Sequence, residues 1–150
     1  CAIKDWCNNV QQHERQIQAL QSLARPVNVL TTHSSWLLSS LVLGCKGLLS
    51  GSGSVIADLQ VALFNAIREG RLDVAKELNE RIRATADVFY ADPFVDMHNR
   101  MKVALVALGR IPSAAVRPPL VTPDAAEKMR IADAMTLAGI APEGAILEAA

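Results

Sequence analysis

Residues 26–54 read PVNVLTTHSSWLLSSLVLGCKGLLSGSGS, and the order of elements they predict sets the fold class. Pro26 stops whatever precedes it, and Val27-Asn28-Val29-Leu30-Thr31 is short and β-branched, which suits a strand. Ser34 or Ser35 is placed to cap a helix through about Leu43, with Gly44 just past its end. Gly47-Leu48-Leu49-Ser50 reads as a further strand and Gly51-Ser52-Gly53-Ser54 as a turn. Val55 to about Glu69 then follows as a helix, with Ile56, Leu59, Leu63 and Ile67 on one face and Gly70 at its end.

Working outward, Ala2-Ile3-Lys4 predicts a short buried strand. Asn8 and Asn9 are N-cap candidates for a helix over residues 9–24, in which Val10, Ile17, Leu20 and Leu23 recur near helical spacing. The strands therefore start 20 to 25 residues apart in a β-α-β-α-β-α pattern, which implies βαβ units and a parallel sheet. After Gly70 the alternation stops. Helices are expected from Leu72 to about Ala86 (apolar face Val74, Ala75, Leu78, Ile82), from His98 to Leu108, and from Thr122 or Pro123 to about Ala138. Pro93 breaks the segment before the second of these, residues 116–121 form an extended connector, and Pro142–Ala150 form a short tail.

Three parallel strands leave both sheet edges open, and parallel sheets are normally covered on both faces. A closed (β/α)8 barrel solves both problems but needs about 250 residues. The expected fold class is therefore α/β: the C-terminal part of a (β/α)8 TIM barrel, strands 6–8 with their helices over residues 1–70, followed by a C-terminal helical extension of the same domain over residues 71–150. The chain opens with Cys1 inside a strand, so the N-terminal half of the barrel is expected to lie outside this sequence.

The composition supports a real core: 51% of the 150 residues are hydrophobic and 20% charged, which excludes a disordered chain. Fifteen Lys and Arg balance fifteen Asp and Glu, so the broad basic field of a nucleic-acid binder is absent. The most apolar stretch, Trp36–Leu49, has fourteen residues and contains Lys46, short of the roughly 20 needed to span a bilayer. It reads as a buried helix running into a strand, so no membrane partner is expected. Three cysteines (Cys1, Cys7, Cys45) do not suggest a disulfide framework, and no signal peptide is visible; a reducing cytoplasmic setting is expected.

Lys4 is the sharpest chemical feature. It stands at the C-terminal end of an apolar strand, where barrel enzymes place catalytic groups. Apolar surroundings would disfavour its ammonium form and free the amine to attack a carbonyl; alternatively, it is a lysine that snorkels to solvent from a strand end. Residues 51–54 could hold a carboxylate or phosphate at a helix N-terminus, or form a plain turn capped by Ser54. Ile56 at the third glycine position rules out a dinucleotide fingerprint. His33 in Thr31-Thr32-His33-Ser34 is a candidate acid/base or donor, or a loop or capping residue. His13 is expected to be solvated and His98 structural. Neither the histidines nor the cysteines show metal-ligand spacing, so no metal is expected, and no Gly-x-Ser-x-Gly elbow supports a serine esterase.

AIKDW (2–6), the Pro26–Ser35 strand and LGCKGLLSGSGS (43–54) together resemble the second half of the dihydrodipicolinate synthase / N-acetylneuraminate lyase family. Arg68–Ala75 (REGRLDVA), then Lys102, Leu105 and Gly109, then Arg117-Pro118-Pro119-Leu120, extend the resemblance in order to about residue 140. The resemblance implies a (β/α)8 barrel with a C-terminal helical extension and a class I aldolase or lyase acting on pyruvate or a related 2-keto acid. It implies Lys4 as the Schiff-base nucleophile, with no other cofactor. Thr32 and His33 after the seventh strand, and Leu49, Ser50 and Gly51 at the end of the eighth, would line the substrate pocket. It also implies a homo-oligomer, dimer or tetramer, for the full-length form.

Two departures stand out. The acidic pair of the sialic-acid branch is replaced by Thr32, His33 and Ser34, and a serine of that branch by Gly51, which argues against a long polyhydroxylated substrate. The paired threonines that hold the carboxylate and the proton-shuttling tyrosine belong to the first five strands; Tyr90 lies in the extension and does not match that tyrosine. The bare 150 residues are accordingly expected to be inactive alone. The competing expectations are a dehydratase of a sugar-derived 2-keto acid that uses the same lysine, a non-catalytic half-barrel, and an inactive paralogue.

Overall fold

A computed structural model describes residues 1–140. The three expected strands form one parallel sheet: β1 (Ala2–Asp5), β2 (Asn28–Thr31) and β3 (Gly47–Leu48), in that spatial order. Helices α1 (Val10–Gln21) and α2 (Leu37–Val42, preceded by a 3-10 turn at Ser34–Trp36) are the crossovers. Then come α3 (Gly53–Arg68), α4 (Leu72–Phe89), a 3-10 turn at Phe94–Asp96, α5 (Met97–Ala107) and α6 (Ala125–Leu137). The tail expected from Pro142 lies outside the described residues. Among the described residues no helix is long and apolar enough to cross a membrane.

Local chemistry explains most boundaries. Asn9 caps α1, its side chain accepting from the Gln12 amide at 2.9 Å. Gly44 takes φ +107° where the chain leaves α2, a conformation that favours glycine. α6 starts at Ala125 rather than at Thr122 or Pro123 and is capped by Asp124, which accepts from the Glu127 amide at 2.8 Å; a carboxylate meets both the free amide and the positive helix end. Ser54 is not the cap of α3. It lies within the first turn and donates to the Gly51 carbonyl at 2.9 Å, while Ser52 holds the N-cap position and Ile56 interrupts the helix at φ −115°, ψ 32°.

Three further expectations are corrected. β1 is not a buried strand: Ile3 is 44% exposed and only Asp5 is buried, because β1 is a sheet edge paired on one side. The third strand ends at Leu48, since Leu49 makes the last backbone bond, to Thr31, before the chain turns at Gly51-Ser52. α1 ends at Gln21 rather than near residue 24, buries a line through His13 and Ile17, one turn apart, and leaves Val10 half exposed, as is Leu23 beyond its end. His13 is thus fully buried, not solvated.

The core runs from the central strand into the helical extension as one cluster. Val29 of β2 is fully buried, as are Leu37, Leu63, Ile82, Phe89 and Ile131 from four different helices. Ala66 and Ala75 have no exposed surface, which lets α3 and α4 approach closely. Arg100 in α5 is the largest fully buried side chain. Its guanidinium bonds Glu127 of α6 (Nε–Oε1 2.5 Å) and the carbonyls of Ala91 (2.5 Å) and Asp92 (3.3 Å), joining α5 and α6 to the segment after α4.

Two stability outcomes follow. Leu63→Ala should cost about 2–5 kcal/mol and exposed Val61→Ala under about 1 kcal/mol in urea unfolding. Arg100→Ala should cost about 3 kcal/mol, because it removes a fully buried side chain and the partner of the partly buried Glu127 and of two carbonyls; equal losses for Arg100→Ala and Val61→Ala would contradict this packing.

Candidate functional site

The parallel register brings the C-terminal strand ends to one edge of the sheet. Lys4 pairs with Leu30, Asp5 with Thr31, Leu30 with Gly47 and Thr31 with Leu48, so Lys4 stands in the row of Leu30 and Gly47, two residues before Thr32 and Leu49 on their strands. Lys4 is exposed, its Nζ 5.9 Å from the centroid of Trp6. Trp6 in turn lies against Phe94 (5.7 Å between ring centroids), and Phe94 against Tyr90 (6.1 Å). These rings help to wall a hollow of about 50 Å³ together with Thr32, His33, Ser34 and Trp36. Thr32 and His33 are buried in its wall. Leu49 (54% exposed), Ser50 and Gly51 stand at the end of β3, outside the lining of that hollow, and Gly51 faces α5: a Cβ there would meet Met101 Sδ at 3.6 Å and His98 Nε2 at 3.7 Å.

Ser50 is tied to the hollow through hydroxyls. Ser34 Oγ lies 2.7 Å from Ser50 Oγ, 2.9 Å from Ser52 Oγ and 3.2 Å from the Tyr90 hydroxyl, and Ser50 and Ser52 are 2.9 Å apart. Gln60 closes the group by donating to Ser52 at 3.0 Å. The sequence does not mark Gln60 or Tyr90 as site residues, since Tyr90 reaches Ser34 across 56 positions that no local pattern links. An anion cradle at residues 51–54 gains little support. The amides of Gly53, Ser54 and Val55 already donate to the carbonyls of Ser50, Gly51 and Ser52.

On the other face of β1 the next residue, Asp5, starts a buried polar chain. Asp5 Oδ2 bonds His13 Nδ1, and His13 Nε2 lies 2.6 Å from Ser40 Oγ and 3.1 Å from Cys45 Sγ. The Cys7 amide donates to Asp5 Oδ1 at 2.9 Å, and Cys7 Sγ sits 3.4 Å from Asp5 Oδ2. Burial pulls the Asp5 carboxyl up, but the bonds from His13 and Cys7 outweigh it and hold the group below the ordinary carboxylate range. Burial, then the neighbouring His13, keeps His33 below the ordinary imidazole range despite Asp5. Burial also raises the thiols of Cys7 and Cys45. Carboxylate, imidazole and hydroxyl follow the order of a hydrolase relay, yet Ser40 and His13 have no exposed surface, so no substrate carbonyl could reach the hydroxyl. The sequence spacing of the histidines and cysteines gave no sign of this cluster, which the fold draws from residues 5, 7, 13 and 33.

Comparison with known proteins covers nearly all of this architecture. Residues 1–138 match the model of the dihydrodipicolinate synthetase family. Two curated Escherichia coli K12 proteins are similar: YjhH, provisionally assigned as a 2-dehydro-3-deoxy-D-pentonate aldolase, and YagE, provisionally assigned as a 2-dehydro-3-deoxy-D-gluconate aldolase. YjhH is 25% identical over 93% of this chain and 46% of its own length, and YagE 30% identical over 78% and 38%. The chain therefore spans less than half the length of the curated relatives it matches. Among solved structures, a monomeric dihydrodipicolinate synthase variant superposes with a TM-score of 0.83 at 19% identity, over 93% of this chain and 45% of that one. YagE in complex with pyruvate gives 0.80 at 26%, over 93% and 46%. Such neighbours are TIM-barrel proteins, and the three-stranded parallel sheet is consistent with part of such a barrel. On the family match over residues 1–138, the chain belongs to the dihydrodipicolinate synthetase family.

Proposed function

We propose that this chain is part of a class I aldolase or lyase that acts on pyruvate or a related 2-keto acid, with Lys4 as the Schiff-base nucleophile. The observation that carries the reading is the position of Lys4: an exposed amine near the C-terminal end of a parallel strand, level with Leu30 of the neighbouring strand, in a member of this family. Catalytic groups of barrel enzymes stand at that face. The pyruvate bound to the related YagE supports a small keto acid as substrate.

In this reading residues 1–70 supply strands six to eight of a (β/α)8 barrel and residues 71–150 its helical extension. The amine adds to the keto carbon, and loss of water from the carbinolamine leaves an iminium ion. The positive nitrogen then withdraws electrons from the C2–C3 region. A proton leaves C3 to give an enamine that attacks an aldehyde, or in reverse the C3–C4 bond breaks and its electron pair enters the enamine. Thr32 and His33 shape one side of the pocket, and Leu49, Ser50 and Gly51 at the end of β3 meet the bound acid. The remaining strands of the barrel would bring the carboxylate clamp and the proton-transfer group. No further cofactor is needed, because the covalent lysine adduct is itself the electron sink. The full-length form is proposed to be a homo-oligomer in the cytoplasm.

Borohydride reduction of the full-length protein with pyruvate should leave a covalent adduct on the peptide that contains Lys4. Lys4→Ala should abolish trapping and lower kcat by at least roughly 1,000-fold with unchanged circular dichroism. An unmodified Lys4, or full activity in Lys4→Ala, would sink the proposal. Products separate aldol cleavage from dehydration: the first gives two carbon fragments, the second a single fragment that has lost water.

A further inference from the structure

Four potential metal ligands from separate segments converge beneath the strand ends. Asp5 closes β1, Cys7 lies in the loop that follows, His13 is in the first turn of α1, and His33 follows β2. One carboxylate oxygen, the Cys7 sulfur and one ring nitrogen from each histidine all lie within 4.8 Å of one another. Within the group, Cys7 Sγ is 3.4 Å and His33 Nε2 4.0 Å from Asp5 Oδ2. Ligands held at about 2.0–2.3 Å around a tetrahedral ion stand roughly 3.3–3.8 Å apart, so the wider pairs of this set must contract by about 1 Å and the hydrogen-bonded Asp5–His13 pair must part by a similar amount.

A second, independent feature points to a ligand. His33 is 3% exposed, and its Nε2 is fully enclosed without a hydrogen-bond partner. A buried ring nitrogen left unpaired is costly unless something else meets it. Stacking on Trp36, with ring centroids 4.1 Å apart, holds the ring with that nitrogen towards Asp5. The set also has an outer support, because His13 Nε2 meets Ser40 Oγ at 2.6 Å and so fixes the ring that would offer Nδ1.

We propose that Asp5, Cys7, His13 and His33 form a structural site for a zinc-class divalent cation. One carboxylate, one thiolate and two imidazoles suit a borderline-soft tetrahedral ion, whereas Mg²⁺ and Ca²⁺ would ask for more oxygen ligands. Binding releases the Cys7 thiol proton and breaks the direct Asp5–His13 hydrogen bond, since both groups turn to the metal. Four protein ligands leave no open position, so the ion ties β1, α1 and β2 together rather than acting on substrate. Lys4 faces the other side of β1, so His33, which also stands in the wall of the hollow, is the one residue this site shares with the proposed substrate pocket.

The test is a Co²⁺ titration of the reduced, untagged, full-length protein, read by absorption. One equivalent should give the intense visible bands of four-coordinate Co²⁺ and an ultraviolet thiolate-to-cobalt band, both lost on adding equimolar Zn²⁺. Cys7→Ser, at a partly exposed loop position and with unchanged circular dichroism, should remove the thiolate band and weaken Zn²⁺ binding more than about 100-fold. Ser40→Ala should weaken it about 10–100-fold by freeing the His13 ring. No bands at stoichiometric Co²⁺, or bands unchanged in Cys7→Ser, would overturn the proposal.

Discussion

The backbone ladder on both sides of Asn28–Thr31 is the constraint from which the other features follow. β2 is the only strand with two partners among the described residues, and its register fixes which residue of each neighbour stands at the edge. A shift of one residue would turn Lys4 to the helix side and Asp5 to the open side, because side chains alternate along a strand. The same pairing sets Asp5 beside Thr31, and the residues after Thr31 carry His33 to the carboxylate. One register thus serves two sites of different character: an exposed amine on one face and a closed set of metal-type ligands on the other.

The helical extension stabilises this edge from behind and reaches around to its front. α4 lies against α3 and α6, and its C-terminal end delivers Tyr90 to the Ser34–Ser50–Ser52 hydroxyls. Arg100 then fixes the backbone just after Tyr90 by bonding the carbonyls of Ala91 and Asp92. The position of Phe94 against Trp6, and so the wall of the hollow beside Lys4, depends on that buried guanidinium.

Much of the fold was legible because its signals are local. The β-branched run at 27–31, Asn9 before α1 and Gly44 after α2 each fix one boundary by short-range chemistry, and the structure retains them within a few residues. Burial was harder to read. His13 looks solvated within VQQHERQIQALQ, yet α1 is docked along the line through His13 and Ile17, a choice made by the sheet and α2 rather than by the helix's own pattern. Lys4 was legible as a strand-end residue, and its exposed side chain follows from β1 being an edge, which Ala2 and Ile3 before it do not reveal. The meeting of Asp5, Cys7, His13 and His33, and of Tyr90 with Ser34, depends on tertiary contacts between distant segments, so no spacing rule could have found either.

The central claim is that Lys4 carries the chemistry. A crystal structure of the full-length protein soaked with pyruvate tests it most directly. The account predicts continuous density from Nζ of Lys4 to the keto carbon, with the acid held near the end of β3. Pyruvate joined to another lysine such as Lys46, or bound with Lys4 left free, would contradict it.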